Sequence, residues 1–227
     1  LEQYGGMLEM GKLEGDTVRF HPTQAMLLDA MLAAQQHVTY DRGFRNFRKR
    51  LDKFDGVKPR NVTRGFRGEL REYQEMGLGW IHFLREFNFG GCLADDMGIG
   101  KTVQVLALLE SRRTRRVGKE ETRAPSLVVV PKSLVFNWIE EAARFAPKLR
   151  VFDYTGLGRK KKREQFNKHD LVVTTYGTLR KDITELAEIQ FDYAILDESQ
   201  AIKNDKSQAA KACRLIQADH RLAMTGT

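Results

Sequence analysis

Apolar and polar positions change rhythm along this chain, and the change marks two regions. From about Ala124 onward, short unbroken apolar runs alternate with segments of helical spacing. Ser126 to Val130 is a β-branched run of the kind that forms a strand buried on both faces. Pro131 breaks it, and Ser133 is placed to N-cap a helix carrying Leu134, Trp138, Ala142 and Phe145. Leu149 to Tyr154 reads as a strand, Gly156 and Gly158 as a turn, and Arg159 to Asn167 as a basic helix or loop. Leu171 to Thr175 reads as strand, Tyr176 to Glu188 as helix, and Tyr193 to Leu196 as another buried strand. Ser207 to Leu215 reads as helix and Arg221 to Met224 as a last strand. Strands alternating with helices predict an α/β fold, an open parallel sheet with helices on both faces. Ligands of such sheets bind at the carboxyl ends of the strands.

The first part of the chain lacks this alternation. Glycines at 5, 6, 11 and 15 precede an amphipathic run from Thr23 to Gln36, with Met26, Leu27, Ala30, Met31 and Ala34 on one face. Phe44, Phe47, Leu51 and Phe54 then recur at roughly helical spacing among basic residues. Residues 1–66 read as a small, mostly helical appendage or linker, and residues 67–227 as the main lobe. A basic-aromatic nucleic-acid surface is the other reading of the appendage, and it requires exposed aromatics.

Composition narrows the class. The formal net charge of +8 favours a polyanionic partner. The basic runs Arg112 to Arg116 and Arg159 to Arg163 read as solvated helix ends or loops. Two cysteines, Cys92 and Cys213, have no metal-site spacing and imply a reducing compartment; Cys92 reads as core. No apolar stretch is long enough to span a bilayer and the N-terminus has no signal-peptide pattern, so no membrane role is expected.

The chemistry centres on Leu93-Ala94-Asp95-Asp96-Met97-Gly98-Ile99-Gly100-Lys101-Thr102. It follows the apolar run Phe89 to Leu93 and leads into a helical pattern. Strand, glycine loop and helix is the order that wraps backbone N–H groups around a phosphate. Gly98 and Gly100 allow close backbone approach, Lys101 supplies a charge for the terminal phosphates, and Thr102 offers a hydroxyl to Mg²⁺. Asp95 stands where the strict P-loop has its first glycine. Asp197-Glu198 follows the buried run Tyr193 to Leu196. An acidic pair there suits the second half of the site, with Asp197 toward Mg²⁺ and Glu198 toward the attacking water.

Taken together these residues resemble the first RecA-like lobe of the SWI/SNF-related ATPases, the DNA translocases of helicase superfamily 2. Leu70-Arg71-Glu72-Tyr73-Gln74 resembles the adenine-recognition motif, with Gln74 reading the base. Asp95 to Thr102 resembles motif I, including its aspartate, and assigns Asp96, Met97, Gly98, Ile99, Gly100, Lys101 and Thr102 to the nucleotide. Val129 to Leu134 with Asn137-Trp138 resembles motif Ia, and Thr174-Thr175-Tyr176 the next strand-end motif. Asp197-Glu198-Ser199-Gln200 resembles motif II, and Leu222 to Thr227 motif III. The motifs run in family order from Leu70 to the C-terminus; the stretch before Phe66 matches only loosely.

The resemblance implies an ATPase that uses ATP and Mg²⁺ to move along double-stranded DNA. Lys132, Ser133, Thr175 and Tyr176 are expected at the phosphate backbone, where they carry no sequence information. Thr225, Gly226 and Thr227 are expected to link the ATP site to DNA. Gln200 stands where chromatin remodellers carry histidine, as in bacterial and archaeal branches. It can still hydrogen-bond a γ-phosphate or its water, and it implies a prokaryotic source and a cytoplasmic, nucleoid-associated protein, nuclear if eukaryotic. The pattern stops at motif III, before a second RecA-like lobe and its arginine finger, which is worth roughly 10³–10⁵ in rate. Alone, the chain is expected to bind ATP weakly and hydrolyse it poorly. A strand-separating helicase, or a nucleotide- and DNA-binding module without turnover, are the alternatives.

Overall fold

The computed structural model describes residues 11–15, 17–20, 24–32, 39–114 and 124–226. The chain divides into two compact units, Leu1–Gly56 with Glu86–Phe89, and Val57–Arg85 with Gly90–Thr227.

In the smaller unit, β1 (Lys12–Glu14) pairs antiparallel with β2 (Thr17–Arg19) across a turn at Gly15, whose φ is 62°. Helix α1 covers Ala25–Leu32, and α2 covers Arg42–Asp52. The Asp41 carboxylate caps α2 by accepting the Phe44 N–H at 2.7 Å. The amphipathic run expected from Thr23 to Gln36 is described only over α1 and the residue before it. The short hairpin was not expected, because strands of three residues carry too few positions to show an alternation. Phe47 is buried and meets the edges of Phe87 and Phe89, with centroids 5.9 and 6.4 Å away. Its ring therefore packs within this unit and does not meet the condition of an exposed stacking aromatic.

The larger unit is built on a six-stranded sheet ordered β3-β8-β7-β4-β6-β5, every neighbouring pair parallel. Helix α3 (Glu72–Glu86) precedes β3 (Gly91–Leu93), and α4 (Lys101–Thr114) leads to β4 (Ser126–Val130). Then follow α5 (Val135–Phe145), β5 (Val151–Asp153), β6 (Leu171–Thr175), α6 (Tyr176–Leu186), β7 (Gln190–Leu196), α7 (Gln208–Leu215) and β8 (Gln217–Met224). Every residue of β4 is buried, and its side chains alternate between two cores. Val128 and Val130 pack with Leu78, Leu106 and Trp138 from α3, α4 and α5. Leu127 and Val129 pack with Leu179, Leu186 and Cys213 from α6 and α7. Helices thus cover both faces, as the alternating pattern predicts.

Four details depart from the sequence reading. The larger unit begins at residue 57: Phe66 is buried in its core, stacks on Phe145 at 6.0 Å, and the Arg67 N–H bonds the Phe145 carbonyl at 2.7 Å. Ser133 caps nothing; it lies inside a 3-10 turn, Lys132–Leu134, closed by the Leu134 N–H on the Pro131 carbonyl at 3.0 Å. Cys92 is exposed, since it alternates with buried Leu93 on a sheet-edge strand. The run from Arg112 is not a solvated helix end at its start. Arg112 is buried against Asp192, and Arg113 holds Glu110, whose side chain is fully buried. Arg115 and Arg116 lie outside the described residues.

Candidate functional site

Because the six strands of the larger unit's sheet are all parallel, their carboxyl ends share one edge, and the polar motifs gather there. The backbone ladder runs on past the strands: Thr225 N–H bonds the Leu93 carbonyl at 3.1 Å, and Asp197 N–H the Val129 carbonyl at 2.9 Å. These bonds set three motifs side by side.

The glycine loop spans residues 94–100 between β3 and α4, so Lys101 is the first residue of a helix with unpaired N–H groups. Gly98 and Gly100 sit at φ 80° and 83°, in the left-handed region. Gly100 has a second reason to be glycine, because a Cβ there would lie 2.5 Å from Nε2 of Gln74. The Lys101 ammonium donates to the carbonyls of Asp95 (2.5 Å) and Asp96 (2.8 Å), folding back onto its own loop. Thr102 is half-buried in the first turn of α4.

Gln74 stands in the first turn of α3. Its Oε1 accepts the Arg71 N–H at 2.9 Å, the reach-back half of a capping box, and its Nε2 donates to the Ile99 carbonyl at 2.9 Å. The expected base-reading amide is therefore oriented by the phosphate loop itself. Tyr73 adds a hydroxyl to the same carbonyl at 2.9 Å while its side chain stays largely exposed. Sequence reasoning quoted Tyr73 within the adenine-recognition motif but gave a role only to Gln74.

Asp197 is 6% exposed. Its carboxylate accepts the Trp138 indole N–H at 2.8 Å and the Glu198 N–H at 2.9 Å. Burial pushes its pKa up; the two hydrogen bonds oppose this, the Glu198 charge adds to it, and the Lys101 charge opposes it. Glu198 has φ 48° and ψ 51°, a left-handed conformation that costs a non-glycine residue about 1–2 kcal/mol. Strain of this kind persists where surroundings impose it. Here Gln200 holds the Glu198 carboxylate with its amide N–H, and Gln200 Oε1 accepts the Thr225 hydroxyl at 2.8 Å. Gln200 thus joins the acidic pair to the end of β8. A Cβ on Gly226 would come within 2.7 Å of Met97, so this segment also touches the glycine loop. Thr227 lies outside the described residues.

Of the residues expected at DNA, Lys132 and Ser133 are exposed on the turn after β4. Thr175 and Tyr176 direct their hydroxyls inward. Thr175 Oγ1 caps α6 by accepting the Thr178 N–H at 3.1 Å, and the Tyr176 hydroxyl donates to the Asp197 carbonyl at 2.7 Å. Burial, followed by nearby negative charge, raises the Tyr176 pKa, so it remains a donor.

A glycine loop opening a helix, an acidic pair ending a buried strand two places along the sheet and the end of the intervening strand bonded to that pair define a P-loop lobe of RecA-like architecture. The SNF2-related domain matches residues 73–227, and the chain belongs to that family. It is 34% identical over 219 residues to the TATA-binding protein-associated factor MOT1 of Saccharomyces cerevisiae, covering 92% of this chain and 12% of that protein. It is 35% identical over 205 residues to the putative ATP-dependent helicase/translocase YwqA of Bacillus subtilis, covering 88% and 22% respectively. Among solved structures, the Sulfolobus solfataricus SWI2/SNF2 ATPase core in complex with dsDNA superposes with a TM-score of 0.66 at 37% identity, covering 77% of this chain and 34% of that one. The chain therefore spans under a quarter of the length of these two relatives and about a third of the solved core.

Proposed function

We propose that this chain is the nucleotide-binding lobe of an ATPase that moves along double-stranded DNA, gripping the phosphate backbone without reading sequence. One observation carries the reading most directly: the glycine loop and the Asp197–Glu198 pair are joined through Thr225, whose N–H bonds the Leu93 carbonyl at 3.1 Å and whose hydroxyl bonds Gln200, which in turn holds Glu198. Lys101 would leave the loop carbonyls for the terminal phosphates of ATP. Glu198, held by Gln200, would orient the attacking water and accept its proton. Gln74 keeps one amide hydrogen and one oxygen lone pair beyond its two bonds, enough to pair with an adenine edge.

Mg²⁺ fits the same residues. Each Asp197 oxygen accepts one protein hydrogen bond and retains a lone pair, and Thr102 adds a hydroxyl. Among the described residues no three acidic, His or Cys groups cluster, which suits an ion held mostly by phosphates and water. When bound, held by Asp197 and Thr102, the ion would supply positive charge that offsets the charge of the phosphates.

Lys132 and Ser133 are the groups available to a DNA backbone, and the MOT1 and YwqA relatives and the dsDNA-bound core support that partner. A second lobe of the longer protein would close the cleft and supply the arginine. No helix among the described residues is long and apolar enough to cross a membrane, and the protein would act wherever its DNA lies, the nucleoid in a prokaryote.

The test is ATP hydrolysis by the full-length protein with and without duplex DNA. Duplex should raise the rate several-fold, and Lys101→Ala should lower it by about 10²-fold or more, as for loss of a group that stabilises transition-state charge. A rate indifferent to duplex rejects translocation; a rate indifferent to Lys101→Ala rejects the site.

A further inference from the structure

Asp197 is held from two sides by groups that phosphate chemistry does not require. Its Oδ2 accepts the Trp138 indole N–H at 2.8 Å, and its main-chain carbonyl accepts the Tyr176 hydroxyl at 2.7 Å. Trp138 lies in the first turn of α5, which continues directly from the Lys132–Leu134 turn. Tyr176 follows Thr175 at the end of β6 and opens α6. The two elements expected to meet a DNA strand therefore each send one hydrogen bond to the same acidic residue.

Neither bond is incidental to packing. Trp138 is fully buried in the core with Val128 and Val130, where phenylalanine could supply apolar contact; the indole adds a donor that must find an acceptor. The Tyr176 ring packs against the opposite core, while its hydroxyl crosses to the end of β7. Hydrogen bonds of this length weaken steeply on stretching or bending, so a small shift of α5 would reach the carboxylate, and one of the β6 end the main chain that carries it.

We propose that Trp138 and Tyr176 are positioning residues that transmit duplex contact at the Lys132–Leu134 turn and the end of β6 to Asp197, and so to its grip on Mg²⁺. The proposal rests on the translocase reading above. It adds a second route from DNA to the nucleotide, beside the one through Thr225 and Gln200.

The test uses the full-length protein and a fluorescent non-hydrolysable ATP analogue, with Mg²⁺ titrated in the presence and absence of duplex DNA. In the wild type, duplex should lower the Mg²⁺ concentration needed for half-maximal nucleotide binding. Trp138→Phe should raise that concentration about 10–100-fold, the usual cost of losing an outer-shell hydrogen bond to a metal ligand. It should also weaken the duplex effect while the protein still binds DNA. Excess Mg²⁺ should restore nucleotide binding, which it would not do for a protein that had lost its fold. Tyr176→Phe should shift the Mg²⁺ requirement the same way. If either folded variant keeps both the wild-type Mg²⁺ requirement and the duplex effect, its positioning role is overturned. If Trp138→Phe does not fold, Tyr176→Phe decides alone. A wild type that binds duplex without any change in Mg²⁺ requirement overturns this coupling and leaves the translocase reading standing. A wild type that does not bind duplex overturns both.

Discussion

Removing one partner of the Arg112–Asp192 pair should destabilise the larger unit more than any surface substitution. Arg112 lies in the last turn of α4, the helix that begins at Lys101, and Asp192 lies near the start of β7, the strand that ends at Asp197. The guanidinium engages both carboxylate oxygens, with Nε to Oδ2 at 2.8 Å and Nη2 on Oδ1. The two side chains are only 5% and 2% exposed, so little water is available to replace either partner. Arg112→Met keeps the aliphatic bulk and takes the Arg112 guanidinium from the buried Asp192 carboxylate, which costs about 3–5 kcal/mol. With a urea dependence of about 1–3 kcal/mol/M, the midpoint should fall by roughly 1–5 M. Trp80 and Trp138, the chain's two tryptophans, both lie in the larger unit, so their fluorescence reports its unfolding. The double variant Arg112→Met/Asp192→Leu removes both charges and should recover to within about 1 kcal/mol of the wild type, as apolar replacements of buried ion pairs often do. A single-variant loss under about 1 kcal/mol would refute the argument, because it would mean that the pair is hydrated or that a neighbour takes over. A double variant no better than the worse single would equally refute it, since the loss would then be one of shape and not of charge.

Two further outcomes test the site and the sheet. Gly98→Ala and Gly100→Ala each place a Cβ at positive φ, at a strain of about 1–2 kcal/mol, but only the Gly100 methyl meets Gln74; calorimetry should show a larger loss of nucleotide affinity, and of adenine preference, for Gly100→Ala, and equal losses would sink the link between Gln74 and the loop. Burial lowers the pKa of His220, so the folded state resists a proton that the unfolded chain takes up near its ordinary value of about 6.5. His220 then leaves stability untouched above about pH 6.5 and reduces it as pH falls from that value toward the folded pKa; His220→Gln should flatten the fall in urea midpoint between roughly pH 7 and 5.5, and an unchanged slope would remove His220 from the account.

The parts of this molecule legible in its sequence are those whose cause is local. Ser126–Val130 and Leu171–Thr175 are strands with the bounds their β-branched runs predict. β8 was legible only from Arg221, because its first half alternates exposed and half-exposed residues and gains its strand character from pairing with β7. The glycine loop and the acidic pair stood out because positive φ and clustered charge demand particular residue types. What bound them together did not stand out. Arg112 read as part of a solvated basic run, since its partner lies 80 residues away. Gln200 read as a group open to phosphate, yet it is already bonded to Glu198 and Thr225. Trp138 shows the boundary most sharply. Its helical spacing with Leu134, Ala142 and Phe145 marks it as core, and 0% exposure agrees. Spacing describes only the apolar part of a side chain, however, and the one polar atom of Trp138 is the atom that reaches Asp197. A core residue chosen for its N–H and a core residue chosen for its volume give the same sequence pattern, so a substitution that keeps volume and deletes the N–H is what separates them.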